Sequence, residues 1–159
     1  MHDCRHLPAG DGLRPMIIAP YQAAHFDEIV LQEHQAFLQN TAAGSDFAKQ
    51  LESHDSFTGL VDGRVIVVAG ISPVWPGRAI AWAYFARDAG EHFIPIVKSM
   101  QRFLKALNGW RVEAHVDANF SPAIRLVELL GFERETPKPM IKFTSDGRSM
   151  YQYSRYCNG

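Results

Sequence analysis

The segment from Trp110 to Arg134 constrains the fold more than any other part of the chain. It opens with a β-type run, Trp110-Arg111-Val112-Glu113-Ala114-His115-Val116-Asp117, in which polar and apolar residues alternate. Asn119-Phe120-Ser121-Pro122-Ala123-Ile124-Arg125-Leu126-Val127-Glu128-Leu129-Leu130 then reads as a helix. Asp117 or Asn119 is placed to cap it, and Pro122 suits its first turn. Ile124, Val127 and Leu130 recur at three-residue steps and, with Ala123 and Leu126, make one apolar face. Gly131 supplies the stop, and Phe132 starts another strand. The unit is a strand, a capped helix, a glycine stop and a strand.

The rest of the chain extends this alternation. Residues 1–14 read as a flexible tail, and Met16-Ile17-Ile18-Ala19 as a short strand. From Tyr21 to Leu38, Phe26, Ile29, Val30, Glu33 and Phe37 trace a helical repeat. Residues 40–45 are a break, and 46–53 a short second helix. Phe57 to Val61 and Arg64 to Ile71 flank Asp62-Gly63, a strong hairpin signal. The prolines of Ser72-Pro73-Val74-Trp75-Pro76-Gly77 predict a loop. In Ala79 to Phe85, Ile80, Trp82 and Tyr84 alternate with small residues, giving a bulky and a slim face. A helix follows over 91–107, with an apolar stripe from Phe93 to Leu107. After Phe132 a strand broken by Pro137 and Pro139 is expected to resume at Met140 to Phe143, turn at Asp146-Gly147 and return through Ser149 to Ser154.

The element order is β-α-α-β-β-β-α-β-α-β-β. This predicts an α+β fold, layered α/β/α, with a twisted mixed sheet and helices on both faces. With 159 residues, 47% hydrophobic and 21% charged, the chain suffices for one domain, expected over 15–155 with a short tail at 156–159. A net charge of −1 gives no broad basic field for nucleic acid. No apolar run approaches the roughly 20 residues a membrane helix needs, and the first residues lack a signal-peptide core. Cys4 and Cys157 form no disulfide framework, so a cytoplasmic setting is the default. His2, Cys4 and His6 match no structural zinc spacing, and no metal is expected.

The Asn119-x-x-x-Ala123 helix ending in Gly131-Phe132, with the element order around it, resembles the Gcn5-related N-acetyltransferase (GNAT) superfamily over roughly residues 15–155. The resemblance implies acetyl-CoA as cosubstrate. In that family the loop after the strand ending at Phe85 holds the pyrophosphate, through Arg/Gln-x-x-Gly-x-Gly/Ala at a helix start. Here it reads Arg87-Asp88-Ala89-Gly90-Glu91-His92. Arg87 and Gly90 match; His92 replaces the small residue and is expected either to crowd the site or to replace an amide contact with a side-chain one. Asp88 and Glu91 also read as ordinary helix-start carboxylates. The resemblance further places the pantetheine arm on backbone groups of Tyr84, Phe85 and Ala86, and gives Asn119 a cofactor contact. The cofactor set is thus Phe85, Ala86, Arg87, Ala89, Gly90, Glu91, His92 and Asn119.

The implied chemistry needs a neutral amine, a carbonyl polariser and a proton donor for the leaving thiolate. Many members take that donor from a Tyr in the C-terminal helix; here the position is Val127. Ser121 near the sulfur is one replacement, although a Ser at a helix start is also a cap. Tyr84 is a second, although it also reads as core. Base candidates are Glu113, His115 and Asp117, which alternation puts on one strand face; a solvated face has the same pattern.

Two functions follow. One is an acetyl-CoA-dependent N-acetyltransferase acting on a primary amine that enters beside Trp75, Trp82 and Tyr84. The other is a catalytically degenerate GNAT-fold binding module. Val112 to Asp117, Leu130-Gly131-Phe132-Glu133, and Asp146-Gly147 with Tyr151 and Tyr153-Ser154-Arg155 resemble small phage- or prophage-encoded acetyltransferase-like proteins, some virion-associated. That reading implies a phage structural partner. A homodimer is also expected, with contacts at Pro73 to Gly77 or the C-terminal hairpin.

Overall fold

The structure is a computed structural model and describes residues 14–33, 35–36, 44–52 and 55–156. His2, Cys4, His6, Phe37, Cys157 and residues 40–43 of the predicted break lie outside them. The alternating runs form one seven-stranded sheet: β1 Ile17–Pro20, β2 Ser56–Val61, β3 Arg64–Trp75, β4 Arg78–Phe85, β5 Arg111–Asp117, β6 Glu133–Arg134 and β7 Met150–Tyr156. Their order is β1-β2-β3-β4-β5-β7-β6. Every neighbouring pair is antiparallel except β4 and β5. The helices are α1 Ala23–Glu28, α2 Gly44–Glu52, α3 Phe93–Lys105 and α4 Ser121–Leu129, with a 3-10 turn Ala89–His92 leading into α3. The chain order is the one the sequence predicts, and the sheet is mixed with helices on both faces.

Burial explains the two layers. Ile96, Met100 and Leu104 of α3, with Leu126 and Val127 of α4, pack on Val67, Ala69, Ala79, Val112, Ala114 and Val116. Phe26 of α1, with Ala48 and Leu51 of α2, packs on Val65 and Val68, flanked by half-buried Trp82 and Tyr84. The slim face of β4 therefore lies under α3, and its bulky face meets α1 and α2. Gly70 makes room for that bulk: a Cβ there would stand 2.7 Å from a Trp82 ring carbon and 2.6 Å from the Asp55 carbonyl oxygen. The β2–β3 turn uses φ 51° at Asp62 and 75° at Gly63, the doubly left-handed geometry a tight hairpin favours.

Three expectations are corrected. The helix predicted from Tyr21 to Leu38 stops at Glu28, because Ile29 turns extended with ψ 131°. Ile29 and Leu31 are buried and Val30 exposed, a period of two, and Leu31 pairs with Ala86. Tertiary pairing overrides the helical spacing there. The loop predicted at Ser72 to Gly77 is mostly strand, since β3 runs to Trp75. Ile71 donates its N–H to Asp55 on the β2 side. Pro73, two residues on, points its nitrogen the same way, past the start of β2, where no ladder donor is needed. The strand predicted at Met140 to Phe143 is one bridge, Met140 to Met150. Lys142 takes φ 53°, and Phe143 and Thr144 both donate to the Arg148 carbonyl, so the Asp146-Gly147 turn lies in a wider loop.

The aromatic face predicts an alkaline transition. Burial, and then the charges of Glu52 and Asp27, push the Tyr21 phenol from 10.0 up to about 12. Burial, then Tyr21, raises Tyr84 further. A raised folded pKa gives stability that is complete below the unfolded value and lost as pH climbs through the folded one. Urea midpoints followed by tryptophan fluorescence should hold until about pH 10 and fall towards pH 12. Tyr21→Phe should flatten part of that fall.

Candidate functional site

The parallel pair β4–β5 is the origin of the site. Only Arg78 with Arg111, Ala79 with Val112 and Ile80 with Glu113 are in register. Beyond them the strands part, and a cleft of about 490 Å³ opens between Ala81–Phe85 and Ala114–Asp117. Phe93, Ile96 and Met100 of α3 and Ala123, Leu126 and Val127 of α4 give it mainly apolar walls.

The closed end is clamped by charge. Glu113 accepts hydrogen bonds from Arg78 Nε at 3.1 Å and Nη2 at 2.9 Å, and from Arg111 Nε at 3.0 Å. Its side chain is 4% exposed. Burial alone would raise its pKa, but the hydrogen bonds from Arg78 and Arg111 outweigh burial and hold it below the ordinary carboxylate value. Arg111 also pairs with Glu135, and the Arg78 guanidinium lies 4.6 Å above the Trp75 ring. Glu113 is therefore a strand clamp outside the cleft, and its carboxylate is fully engaged, unlike the base considered from sequence. Trp75, expected beside the acceptor, is 56% exposed and stands at this closed end.

At the open end His115 and Asp117 of β5 meet Thr144 and Arg148 on the cleft wall. The His115 ring lies 4.7 Å from that of Phe143, and Arg148 Nη1 lies 3.4 Å from Asp117 Oδ2. Arg148 Nε is 2.7 Å from Asp146 Oδ2. Thr144 and Arg148 escape a reading that treats Asp146-Gly147 as a simple hairpin tip. Tyr84 also lines the cleft, but its ring is part of an aromatic stack, 5.9 Å from Trp82 and 5.4 Å from Phe26.

The helix-start residues fall elsewhere than predicted. Phe120 occupies the N-cap position of α4 with no side-chain cap. Asp117 Oδ1 accepts the Asn119 N–H at 2.9 Å, and Phe120 donates to the Asp117 carbonyl. This local turn uses Asp117 before the helix begins, so neither Asp117 nor Asn119 caps it. Ser121 is the first helical residue, not a cap, and is exposed. Pro122 and Ala123, not Ser121, stand on the cleft wall.

The loop after β4 is divided. Arg87, Gly90 and Glu91 are exposed, Ala89 is buried, and Asp88 pairs with Arg64. His92 is 5% exposed, and its Nδ1 is buried without a partner among the described residues. Its ring is buried beside the loop and is absent from the cleft wall, while Ala89 and Gly90 reach the cleft. Neither the 3-10 turn nor α3 has a side-chain cap. Ligand atoms of Asp88, Glu91 and His92 lie within 4.8 Å of one another. With Arg64 on Asp88 and Glu91 in water, the two carboxylates serve as the acidic start of a helix.

The β4 edge needs a correction as well. Tyr84 is paired with Val68, and Ala86 donates to the Ile66 carbonyl, so both turn their backbone towards β3. Ala83 and Phe85 are the residues that face the opening: the Ala83 carbonyl and the Phe85 N–H meet the Gln35 side chain there.

The fold is that of solved GNAT acetyltransferases. Ard1 from Thermoplasma volcanium superposes with a TM-score of 0.74 at 14% identity, over 91% of this chain and 99% of that one. The ribosomal-protein-S18-alanine N-acetyltransferase from Escherichia coli gives 0.62 at 18%, over 91% and 96%. A GNAT superfamily phosphinothricin acetyltransferase from Sinorhizobium meliloti, solved with acetyl-CoA, gives 0.67 at 16%, over 90% and 89%. No family model and no curated protein matches the chain.

Two substitutions separate structural from binding residues. Glu113→Gln should cost about 2–3 kcal/mol in chemical denaturation, less than a fully buried pair because both guanidinium groups stay partly hydrated. Because its folded pKa is lowered, Glu113 contributes stability above the usual 4.5 that is lost as pH falls through the folded value. The variant should therefore remove part of the acid sensitivity. His92→Gly should cost about 2 kcal/mol through the cavity it leaves. It should not tighten CoA in a calorimetric titration, because the space beside Gly90 is open with the ring in place.

Proposed function

We propose that the protein is an acetyl-CoA-dependent N-acetyltransferase of the GNAT superfamily that acetylates a primary amine. The parting of β4 from β5 beside an uncapped helix start is the observation that carries this reading. It provides an apolar channel, a strand edge with an acceptor and a donor at Ala83 and Phe85, and a cationic side chain at Arg87.

The residues fit the cofactor. A Cβ built on Gly90 would meet nothing within 4 Å, so a phosphate can approach that backbone. Ala89 and Glu91 donate their N–H groups to the Ala86 and Asp88 carbonyls, and no side chain caps the turn or α3, so the helix dipole there suits an anion and Arg87 adds a full charge. The apolar walls from α3 and α4 hold the reacting end away from water. Acetyl-CoA supplies an acyl group already activated as a thioester.

His115, on the β5 wall, is the residue we assign to take the proton from the attacking amine. Val127 gives α4 no proton donor, so the rate rests on positioning and on proton removal. Trp82 and Tyr84 offer the amine a flat apolar wall. No helix among the described residues is long and apolar enough to cross a membrane, and a cytoplasmic setting is part of the proposal. No structural observation favours a virion-associated module over the enzyme.

Calorimetric titration with acetyl-CoA should give a micromolar Kd, and Arg87→Ala should weaken it about tenfold by removing one charge-assisted contact. The same preparation should release thiol from acetyl-CoA when a panel of primary amines is supplied. No binding at millimolar acetyl-CoA would overturn the proposal.

A further inference from the structure

The edge of β4 that β5 abandons does not stand open. Arg87 donates its N–H to the Val30 carbonyl at 3.0 Å, and Gln32 donates to the Phe85 carbonyl at 3.0 Å. Together they bracket the antiparallel bridge of Leu31 with Ala86. Val30 to Gln32 therefore pair with the end of β4 in the place a neighbouring strand would take. One residue pair further down, the partner is a side chain. Gln35 Nε2 donates to the Ala83 carbonyl at 2.9 Å, and Gln35 Oε1 accepts the Phe85 N–H at 3.0 Å. Gln32 and Gln35 both stand in the wall of the cleft.

A primary carboxamide carries its carbonyl oxygen and one N–H on the same side, so a single Gln side chain can accept from one backbone group and donate to another. Bridging a carbonyl and an N–H two residues apart on one strand is what one residue of a neighbouring parallel chain does, with the N–H and the carbonyl of its two successive amides. The slot between Ala83 and Phe85 thus takes an N–H and a carbonyl from successive amides of an extended chain, and Gln35 fills it from within the chain. No other side chain among the described residues makes a hydrogen bond to these two groups.

We propose that Gln35 is an internal occupant of the slot that receives an N–H and a carbonyl from the two amides of the pantetheine arm, so that the protein rests closed and the cofactor must displace Gln35 to bind. This rests on the acetyl-CoA reading above and adds a residue that sets the strength of binding without touching the reacting atoms. Displacement exchanges two hydrogen bonds for two of the same kind. The net gain on binding is therefore small along the arm, and the phosphate end carries most of the affinity. Pantetheine, which lacks the nucleotide and pyrophosphate, should feel Gln35 as strongly as CoA does, because both meet the same slot.

The test compares wild type with Gln35→Ala by calorimetry with CoA and with pantetheine, and by amide hydrogen exchange at Phe85 without ligand. Two competing hydrogen bonds predict that Gln35→Ala tightens both ligands about tenfold. The Phe85 N–H should be protected in wild type, exchange about tenfold faster in the variant, and regain protection when CoA is added. Gln35→Glu, which keeps an acceptor but sets a carboxylate against the Ala83 carbonyl, should also tighten pantetheine. Wild type that binds CoA while Gln35→Ala binds it equally or more weakly overturns the proposal and leaves the acetyl-CoA reading intact. A Phe85 N–H that exchanges freely in wild type overturns it too. CoA binding by neither protein overturns the proposal together with the reading it rests on, a result the wild type alone makes recognisable.

Discussion

The triad of Arg78, Glu113 and Arg111 stands where β4 and β5 still touch, and the geometry of the cleft follows from it. Parallel neighbours can be paired along their whole length, and these two are paired over three residues. Glu113 accepts from the side chains that begin both strands, so the pair is pinned at one end and its register fixed. Beyond the clamp, the apolar side chains of α3 and α4 fill the widening gap from one side. A buried ion cluster contributes less to stability than its Coulomb energy suggests, because removing it from water is costly. Its use here is positional: it decides where pairing stops, and therefore where backbone donors and acceptors become available to something other than a strand.

The two cores depend on β4 in opposite ways. Ala79 is buried, and Ala81 and Ala83 pack against the α3 side, which lets the helix sit close and keeps the cleft narrow. Trp82 and Tyr84 project to the other side, where Tyr21, Phe26 and Phe47 lock them edge to face. Such aromatic contacts make a stiff wall. One strand thereby supplies a slim channel on its edge and a rigid backing behind it. A larger residue at Gly70 would disturb both, since Trp82 rests against that glycine.

Much of this is legible in the chain because local period and tertiary demand agree. Arg111 to Asp117 alternates and is a strand; Ser121 to Leu129 repeats every three to four residues and is a helix; Asp62-Gly63 is the tight turn its composition demands. Reading fails where one pattern serves two structures. Ile29 and Leu31 fit a helical stripe and an extended pairing equally well, and pairing with Ala86 decides. Pro73 argues against a strand only if its nitrogen faces a partner, and the position where β2 starts is not a local property. The site suffers most. Glu113, His115 and Asp117 share one strand face, yet one is a clamp and the other two reach the cleft. Two arginines, one distant in sequence, make that distinction.

Departures from the family pattern change meaning once their surroundings are known. His92 reads from sequence as an obstruction to a phosphate, but the ring is buried and the space beside Gly90 is open. Val127 stands where the family has a hydroxyl, yet it is buried among apolar residues of the cleft wall. What remains for recognition is mostly backbone: the Ala83 carbonyl, the Phe85 N–H and the uncapped helix start. Backbone groups recognise an amide or a phosphate whatever side chains surround them. Side-chain identity then matters chiefly at the open end, where His115, Asp117, Thr144 and Arg148 converge from β5 and from the loop that follows β6. In the proposed reaction, discrimination among acceptors belongs to that end, because it is the part of the cleft built from side chains rather than from the strand edge.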